Sequence, residues 1–266
     1  MLKDITIGQF FPGNSVIHRL DARMKLVLTM ALIVMIFVAT KPIGLVVSFV
    51  YVVIAYGLSK LSPKLILKSL KPVVPIVIFT GVLNMFFIAG EPLVSFWIFN
   101  ITKEGVKMAV FMAIRVILLI AGSSLLTYTT SPIELTDGIE RLLAPLNKIR
   151  FPVHELAMMM TIALRFIPTL IEETDKIMSA QKARGADLES GSIIQRAKAL
   201  IPILVPLFIS AFRRADELAL AMECRCYRGG EGRTRMKILK TSAIDWVSLF
   251  VTAVCIAGVI LINIFL

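Results

Sequence analysis

The chain has 266 residues, 57% of them hydrophobic and 18% charged, with a formal net charge of +11 from 29 lysines and arginines against 18 acids. A mean hydropathy of +0.84 is too apolar for its own polar side chains to cover it as a water-soluble globule, so it reads as an integral membrane protein. The excess of positive charge does not call for nucleic acid: no nucleic-acid motif is present, and basic segments at a lipid headgroup surface account for it.

The first 25 residues mix acids, bases and Pro12-Gly13 ahead of an apolar run without a small-residue cleavage pattern, so they do not read as a removable signal. Four apolar regions then approach the ~17 to 25 residues that a hydrocarbon core requires: Leu26–Leu58, Pro72–Ala89, Val106–Leu126 and Ile244–Leu266. The first is long enough for two spans, and Lys41-Pro42 divides it. Each half is short unless it recruits flanking residues or tilts. Five spans in an all-α membrane protein are therefore expected.

Lysine and arginine favour cytoplasmic segments. With the N-terminus inside, 25 of the 29 basic residues fall on that side, among them Lys3, Arg19, Arg23, Lys25, Lys60, Lys64, Lys68 and Lys71. Only Lys41 and Lys103 face outward, with Lys107 and Arg115 in the fourth span. The expected topology is a multi-pass plasma-membrane protein with its N-terminus cytoplasmic and its C-terminus outside. Arg115, near the middle of its span, is a functional candidate by its position and a candidate partner for another helix of the bundle.

The chain divides into residues 1–126 with four spans, 127–242 as a cytoplasmic or interfacial helical region, and 243–266 as the last span. Ser131 to Lys240 forms a basic, amphipathic block. Ser131-Pro132 with Glu134 has the form of a capping box and opens a helical piece reaching Lys148. Pro152 opens a second piece, which ends at Gly185, a residue suited to the left-handed turn after a helix. A polar linker, Ala186–Gly191, leads to a third helix from Ser192 to about Tyr227, which Pro202 and Pro206 should kink. Arg165 and Pro168, and then Glu172 and Glu173, interrupt the apolarity of the second piece; Arg213, Arg214, Asp216 and Glu217 follow that of the third. A charge at a span centre costs about 2.5 to 3.5 kcal/mol, so both long helices are expected along or below the membrane interface.

Catalytic motifs are missing. There is no G-x-S-x-G, no H-E-x-x-H and no Gly-Lys-Ser/Thr of a phosphate-binding loop, so this chain is not expected to hydrolyse ATP or act as an enzyme. Cys224, Cys226 and Cys255 are too few for a disulfide framework, and with only His18 and His154 they assemble no metal site. What stands out is a pair of arginine-tipped helix ends, Ala183-Arg184-Gly185 and Cys224-Arg225-Cys226. An arginine offers a planar fork of donors to a carboxylate and is favoured near a helix C-terminus. Small neighbours would let a partner surface approach. Ordinary preference of basic residues for helix C-termini and cytoplasmic faces explains the same pattern, and both readings stand on residue types alone.

Over nearly its whole length the chain resembles the transmembrane T component of energy-coupling factor (ECF) transporters, the ABC-type vitamin importers. The resemblance rests on His18-Arg-Leu-Asp-Ala-Arg-Met-Lys-Leu26, Thr129-Thr-Ser-Pro132, Ala163-Leu-Arg-Phe-Ile-Pro-Thr169, Gln181-Lys-Ala-Arg-Gly185, Phe212-Arg-Arg214 and Met222-Glu-Cys-Arg-Cys-Tyr-Arg-Gly-Gly230. It implies that Ala183, Arg184 and Gly185, and Cys224, Arg225 and Cys226, dock into grooves on two ATP-binding cassette subunits. It further implies that the same helices carry a membrane-embedded, substrate-binding S component. ATP and Mg would be bound by the partner subunits, with no cofactor in this chain. The second tip departs from the family's Ala-Arg-Gly pattern, since Cys226 stands where glycine would give freedom past the helix end.

Supporting roles are expected for Arg213 and Arg214 at the second tip, the alternative being contact with lipid phosphates. Asp21 and Arg23 are candidates for holding the N-terminal segment, against a plain solvated turn. Arg165 is expected to pair with Glu172 or Glu173 on one helix surface. Met158, Met159, Met160, Leu204 and Phe208 are the candidate S-component contacts, methionine being adaptable to several partners; ordinary core or lipid-facing packing is the plain reading of the methionines. A substrate-translocating permease of a conventional ABC importer is the alternative function, and two docking tips in one chain argue against it.

Overall fold

The computed structural model describes residues 10–88, 92–96, 99–149, 151–186, 192–229 and 239–265. Lys3, the linker beyond Ala186, and Gly230 lie outside the described residues. The elements are α1 (Val16–Arg19), α2 (Ala22–Val38), α3 (Pro42–Ser59), α4 (Pro63–Leu70), α5 (Val74–Phe87), a short antiparallel hairpin of β1 (Pro92–Phe96) and β2 (Phe99–Thr102), α6 (Lys103–Thr129), α7 (Pro132–Leu143), α8 (Val153–Ala183), α9 (Ile193–Cys224) and α10 (Ala243–Phe265). The described residues up to Arg141 and from Leu239 onward form one compact unit, and those from Leu142 to Gly229 form another.

In the first unit α2 is the central helix, packed against α3, α6 and α10. Its Leu32, Met35, Ile36 and Ala39 meet Leu45, Val52 and Tyr56 of α3, Leu118 and Ala121 of α6, and Val259 of α10. Lipid tails are as apolar as these side chains, so close packing and interhelical hydrogen bonds must hold such a bundle. Gly122 lets α6 approach: a Cβ there would lie 2.5 Å from Leu32 Cδ2. Tyr56 donates to the Ala121 carbonyl at 2.8 Å, and the Tyr51 and Thr252 hydroxyls are 2.8 Å apart. The outer faces of α3 and α10 carry exposed apolar side chains such as Val46, Phe49, Val53, Val247 and Phe250, as a lipid-facing surface requires.

The helix ends in this bundle receive side-chain donors. At the C-terminus of α2, Asn263 Nδ2 donates to the Val38 carbonyl and Arg115 Nη2 to the Ala39 carbonyl. Arg115 also stacks 4.7 Å over the Phe111 ring. It therefore pairs with another helix, through a carbonyl rather than a carboxylate. Lys25, in the first turn of α2, donates to the Thr129 carbonyl of α6 at 2.8 Å and to the His18 carbonyl of α1 at 3.2 Å.

Several boundaries differ from the sequence reading. The span expected at Pro72–Ala89 is a 14-residue α5, too short to cross alone. Together with α4 it is long and apolar enough for one span, bent by 58° at the break that holds Pro72. Proline lacks the N–H to continue the preceding helix, which accounts for the break. The piece expected to run from Pro132 to Lys148 stops at Leu143 and continues as a 3₁₀ turn, Ala144–Ile149, because Pro145 removes the next helical donor. Among the described residues, α3, α6, α8 and α10 are singly long and apolar enough to cross a membrane. α8 meets this length and composition because its first half carries only Glu155 and Arg165 between His154 and Ile171.

Replacing Arg115 by Met keeps the length of the side chain and leaves the Ala39 carbonyl without its donor. The expected cost is about 1 to 3 kcal/mol, read as a lower melting temperature of the detergent-purified protein.

Candidate functional site

The second unit is built on α8 and α9, which pack against each other. Their side-chain contacts run in opposite order along the two helices. Gln181 meets Pro202 at 3.2 Å, Glu173 meets Ser210 and Arg214, and Tyr227 just beyond α9 donates to Met158 Sδ at 3.0 Å. The pair is thus an antiparallel hairpin of 31 and 32 residues. One arginine tip lies at each end of it. At 1.5 Å per residue the 26 residues from Met158 to Arg184 place the two tips on the order of 40 Å apart.

Both tips are built the same way. After α8, the Gly185 N–H donates to Lys182 O at 3.0 Å and the Ala186 N–H to Gln181 O at 3.0 Å. After α9, the Cys226 N–H donates to Glu223 O at 2.8 Å and the Tyr227 N–H to Met222 O at 3.1 Å. Each donor and acceptor of the second set lies 41 residues after its counterpart, so the repeat seen in the tripeptides is a repeat of backbone geometry. This is the Schellman end, in which a left-handed residue turns the chain so that backbone N–H groups reach the last carbonyls. Gly185 supplies it with φ +86°, and Cys226 with φ +56°. The substitution of cysteine for glycine therefore leaves the turn intact. It also ends α9 at Cys224, short of the expected Tyr227.

Ala183, Arg184, Gly185, Cys224, Arg225 and Cys226 are all exposed. Among the described residues neither tip guanidinium has a hydrogen bond or ion pair. Two free cations at exposed helix ends can each take an acceptor from a partner surface. A standard interface patch of about 800 Å² per partner is about 30 Å across, so tips this far apart suit two separate contacts.

The supporting residues divide. Arg214 pairs with Glu173 at 3.1 Å and stacks 5.8 Å from the Phe166 ring, so it ties α9 to α8. That corrects the expected pairing of Glu173 with Arg165 on one helix: the partner is across the hairpin. Arg213 is exposed. Met158 is half-buried under Tyr227, whereas Met159, Met160, Leu204 and Phe208 are 45–60% exposed and leave an apolar surface open on both helices. Gln181, the first residue of the stretch that ends at Gly185, has a local task. Pro206 cannot donate to the carbonyl four residues earlier, and Gln181 Nε2 supplies that missing donor to Pro202 O.

Asp21 and Arg23 belong to the bundle unit, and the solvated-turn reading is corrected. Asp21 is 7% exposed and caps α2, accepting from the Arg23 backbone and guanidinium. Its own N–H donates at 3.0 Å to the carboxylate of Asp245, which is fully buried and also accepts from the Ser242 N–H at 2.6 Å. Asp245 was missed; the signal available was Ser242-x-x-Asp245, a capping pattern directly before an apolar run. Burial alone would push the Asp21 carboxyl up, but the hydrogen bonds and charge of Arg23, with the charge of Arg141, outweigh it and hold it below its ordinary 3.8.

Residues 13–237 match the family described as cobalt transport protein, CbiQ. The chain is 55% identical over 261 residues to the energy-coupling factor transporter transmembrane protein EcfT of Ruminiclostridium cellulolyticum, covering 98% of each chain. It is 59% identical over 250 residues to the protein of that name in Clostridium kluyveri, 93% of each chain, and 44% identical over 262 residues to that of Lactococcus lactis, 98% of each.

Cys226→Gly should stabilise the second tip by about 1 kcal/mol, since a left-handed residue with a Cβ carries a penalty of about 1 to 2 kcal/mol that glycine escapes; Gly185→Val should cost a similar amount at the first. Hydrogen exchange of the Tyr227 and Ala186 amides measures both. The depressed Asp21 carboxyl makes its stabilisation fully present above pH 3.8 and lost as pH falls through the lower folded value. Acid titration of thermal stability should show this loss, and Asp21→Asn should remove it.

Proposed function

Since the chain belongs to the T-component family of ECF transporters and is a multi-pass membrane subunit, we propose that it couples closure of two ATP-binding cassette subunits to movement of a vitamin- or micronutrient-binding S component in the same membrane. The observation that supports this reading is the pair of matching, unpaired arginine tips at opposite ends of one helical hairpin. Arg184 and Arg225 each enter a groove on one ATPase, and Ala183, Gly185, Cys224 and Cys226 are small enough to let the groove walls close on them. ATP and Mg are bound by those partners. The topology is N-terminus inside and C-terminus outside the cell membrane, which sets the tips in the cytoplasm.

When ATP draws the two cassettes together, a force is applied at each tip. Glu173–Arg214 and the Gln181–Pro202 contact join the helices, so the pair shifts as one body, and the exposed apolar surface of Met159, Met160, Leu204 and Phe208 moves with it. An S component seated on that surface is tilted and opens its substrate to the cytoplasm, a rigid-body transition. The S component chooses the substrate. A conventional permease would need one docking end per chain, and this chain has two.

Affinity-tagged protein should copurify with two ATPase subunits and a small membrane protein. Arg184→Glu and Arg225→Glu should each weaken one ATPase contact, and the double variant should abolish ATPase recovery while the protein still inserts into membranes. An undisturbed complex in the double variant defeats the docking assignment.

A further inference from the structure

One buried cation in the bundle has a donor to spare. Lys25 is 4% exposed and gives two hydrogen bonds, to Thr129 O at 2.8 Å and His18 O at 3.2 Å. An ammonium has three donors. Among the described residues no third acceptor and no directly paired carboxylate is present; Glu134, Asp21 and Asp245 act on Lys25 only through space.

Lys25 also lines a cavity of about 520 Å³ whose other walls are mostly apolar, among them Leu28 of α2, Val50 and Ala55 of α3, Leu125 of α6 and Val251 of α10. Val50 and Val251 are exposed on the outer face of the bundle, so the cavity opens toward lipid. With Val16 and Ile17 of α1 also in its wall, all five contributing helices belong to the same unit.

We propose that this groove holds one acyl chain of an anionic phospholipid, whose headgroup oxygen accepts the third N–H of Lys25. The volume lies within the range of about 300 to 1,000 Å³ common to ligand pockets. Size alone selects nothing here, because a tail leaving the bilayer gains little on entering an equally apolar groove. Selection comes from the cation. A buried charge lacking full pairing is costly, and an anionic oxygen forms the stronger, charge-assisted bond. The site therefore reads the charge of the headgroup and tolerates different tails.

The test uses the full chain purified in detergent with equal amounts of phosphatidylglycerol and phosphatidylcholine carrying the same tails, followed by native mass spectrometry of retained lipid. One phosphatidylglycerol should be retained in preference. Lys25→Gln should reduce that preference about tenfold, the scale of one charged hydrogen bond, and Lys25→Arg should keep it. Ala55→Phe, which fills the groove without touching Lys25, should remove the retained lipid and keeps the test decisive if Lys25→Gln does not fold. Equal retention of the two lipids by the native chain overturns the proposal, as does retention unchanged by Ala55→Phe, or a groove filled by a free fatty acid or a copurified membrane protein.

Discussion

An α-helix leaves its last carbonyls without donors of its own, and inside a bilayer no water replaces them. In the bundle this requirement decides where polar side chains go. Arg115 and Asn263 close the end of α2, and Lys25 closes the ends of α1 and α6 together. These are the long-range links that hold spans whose apolar faces would be equally content against lipid. Charges that look unwelcome in a membrane are there because unpaired carbonyls would be worse.

The tips of α8 and α9 meet the same requirement differently, and the difference bears on function. Each chain turns through a left-handed residue, and the following backbone N–H groups satisfy the terminal carbonyls. No side chain is consumed. Among the described residues Arg184 and Arg225 therefore keep their guanidinium donors unused, whereas Arg115 gives one to Ala39. The left-handed residue matters less for flexibility than for relieving the arginine of a capping duty, which is why a cysteine can occupy that position.

Much of this was legible in the residues. Hydropathy marks the bundle, Lys41-Pro42 separates α2 from α3, Ser131 caps α7 as its spacing predicts, and Gly185 announces the first tip. The links that join distant segments were not legible. Asp21 and Asp245 are 224 residues apart, and nothing in the local pattern around Asp21 distinguishes a buried cap from a solvated turn. Glu173 has Arg165 two turns away on its own helix and Arg214 across the hairpin, and it pairs with Arg214. Gln181 reads as one polar residue of a motif until Pro206, on another helix, is seen to leave a carbonyl open. The break before α5 was hidden because Lys64 and Lys68 made α4 look like a basic loop.

The hairpin contains three prolines, each removing a helical hydrogen bond. Their placement limits the damage. The register set by Gln181 with Pro202 and by Glu173 with Ser210 puts Pro168 of α8 level with Ala215 of α9, while Pro202 and Pro206 lie level with Gln181 and Ile177. No cross-section has both helices interrupted, so each break is splinted by an intact turn of the partner. At the Pro202–Pro206 pair, where two rungs are lost close together, Gln181 returns a donor to one of the exposed carbonyls. Between the breaks, Arg214 joins Glu173 and Phe166 across the pair. The hairpin is thus a jointed beam with staggered joints, and its exposed apolar side chains lie toward both ends, Met159 and Met160 near the Arg225 tip and Leu204 and Phe208 nearer the Arg184 tip.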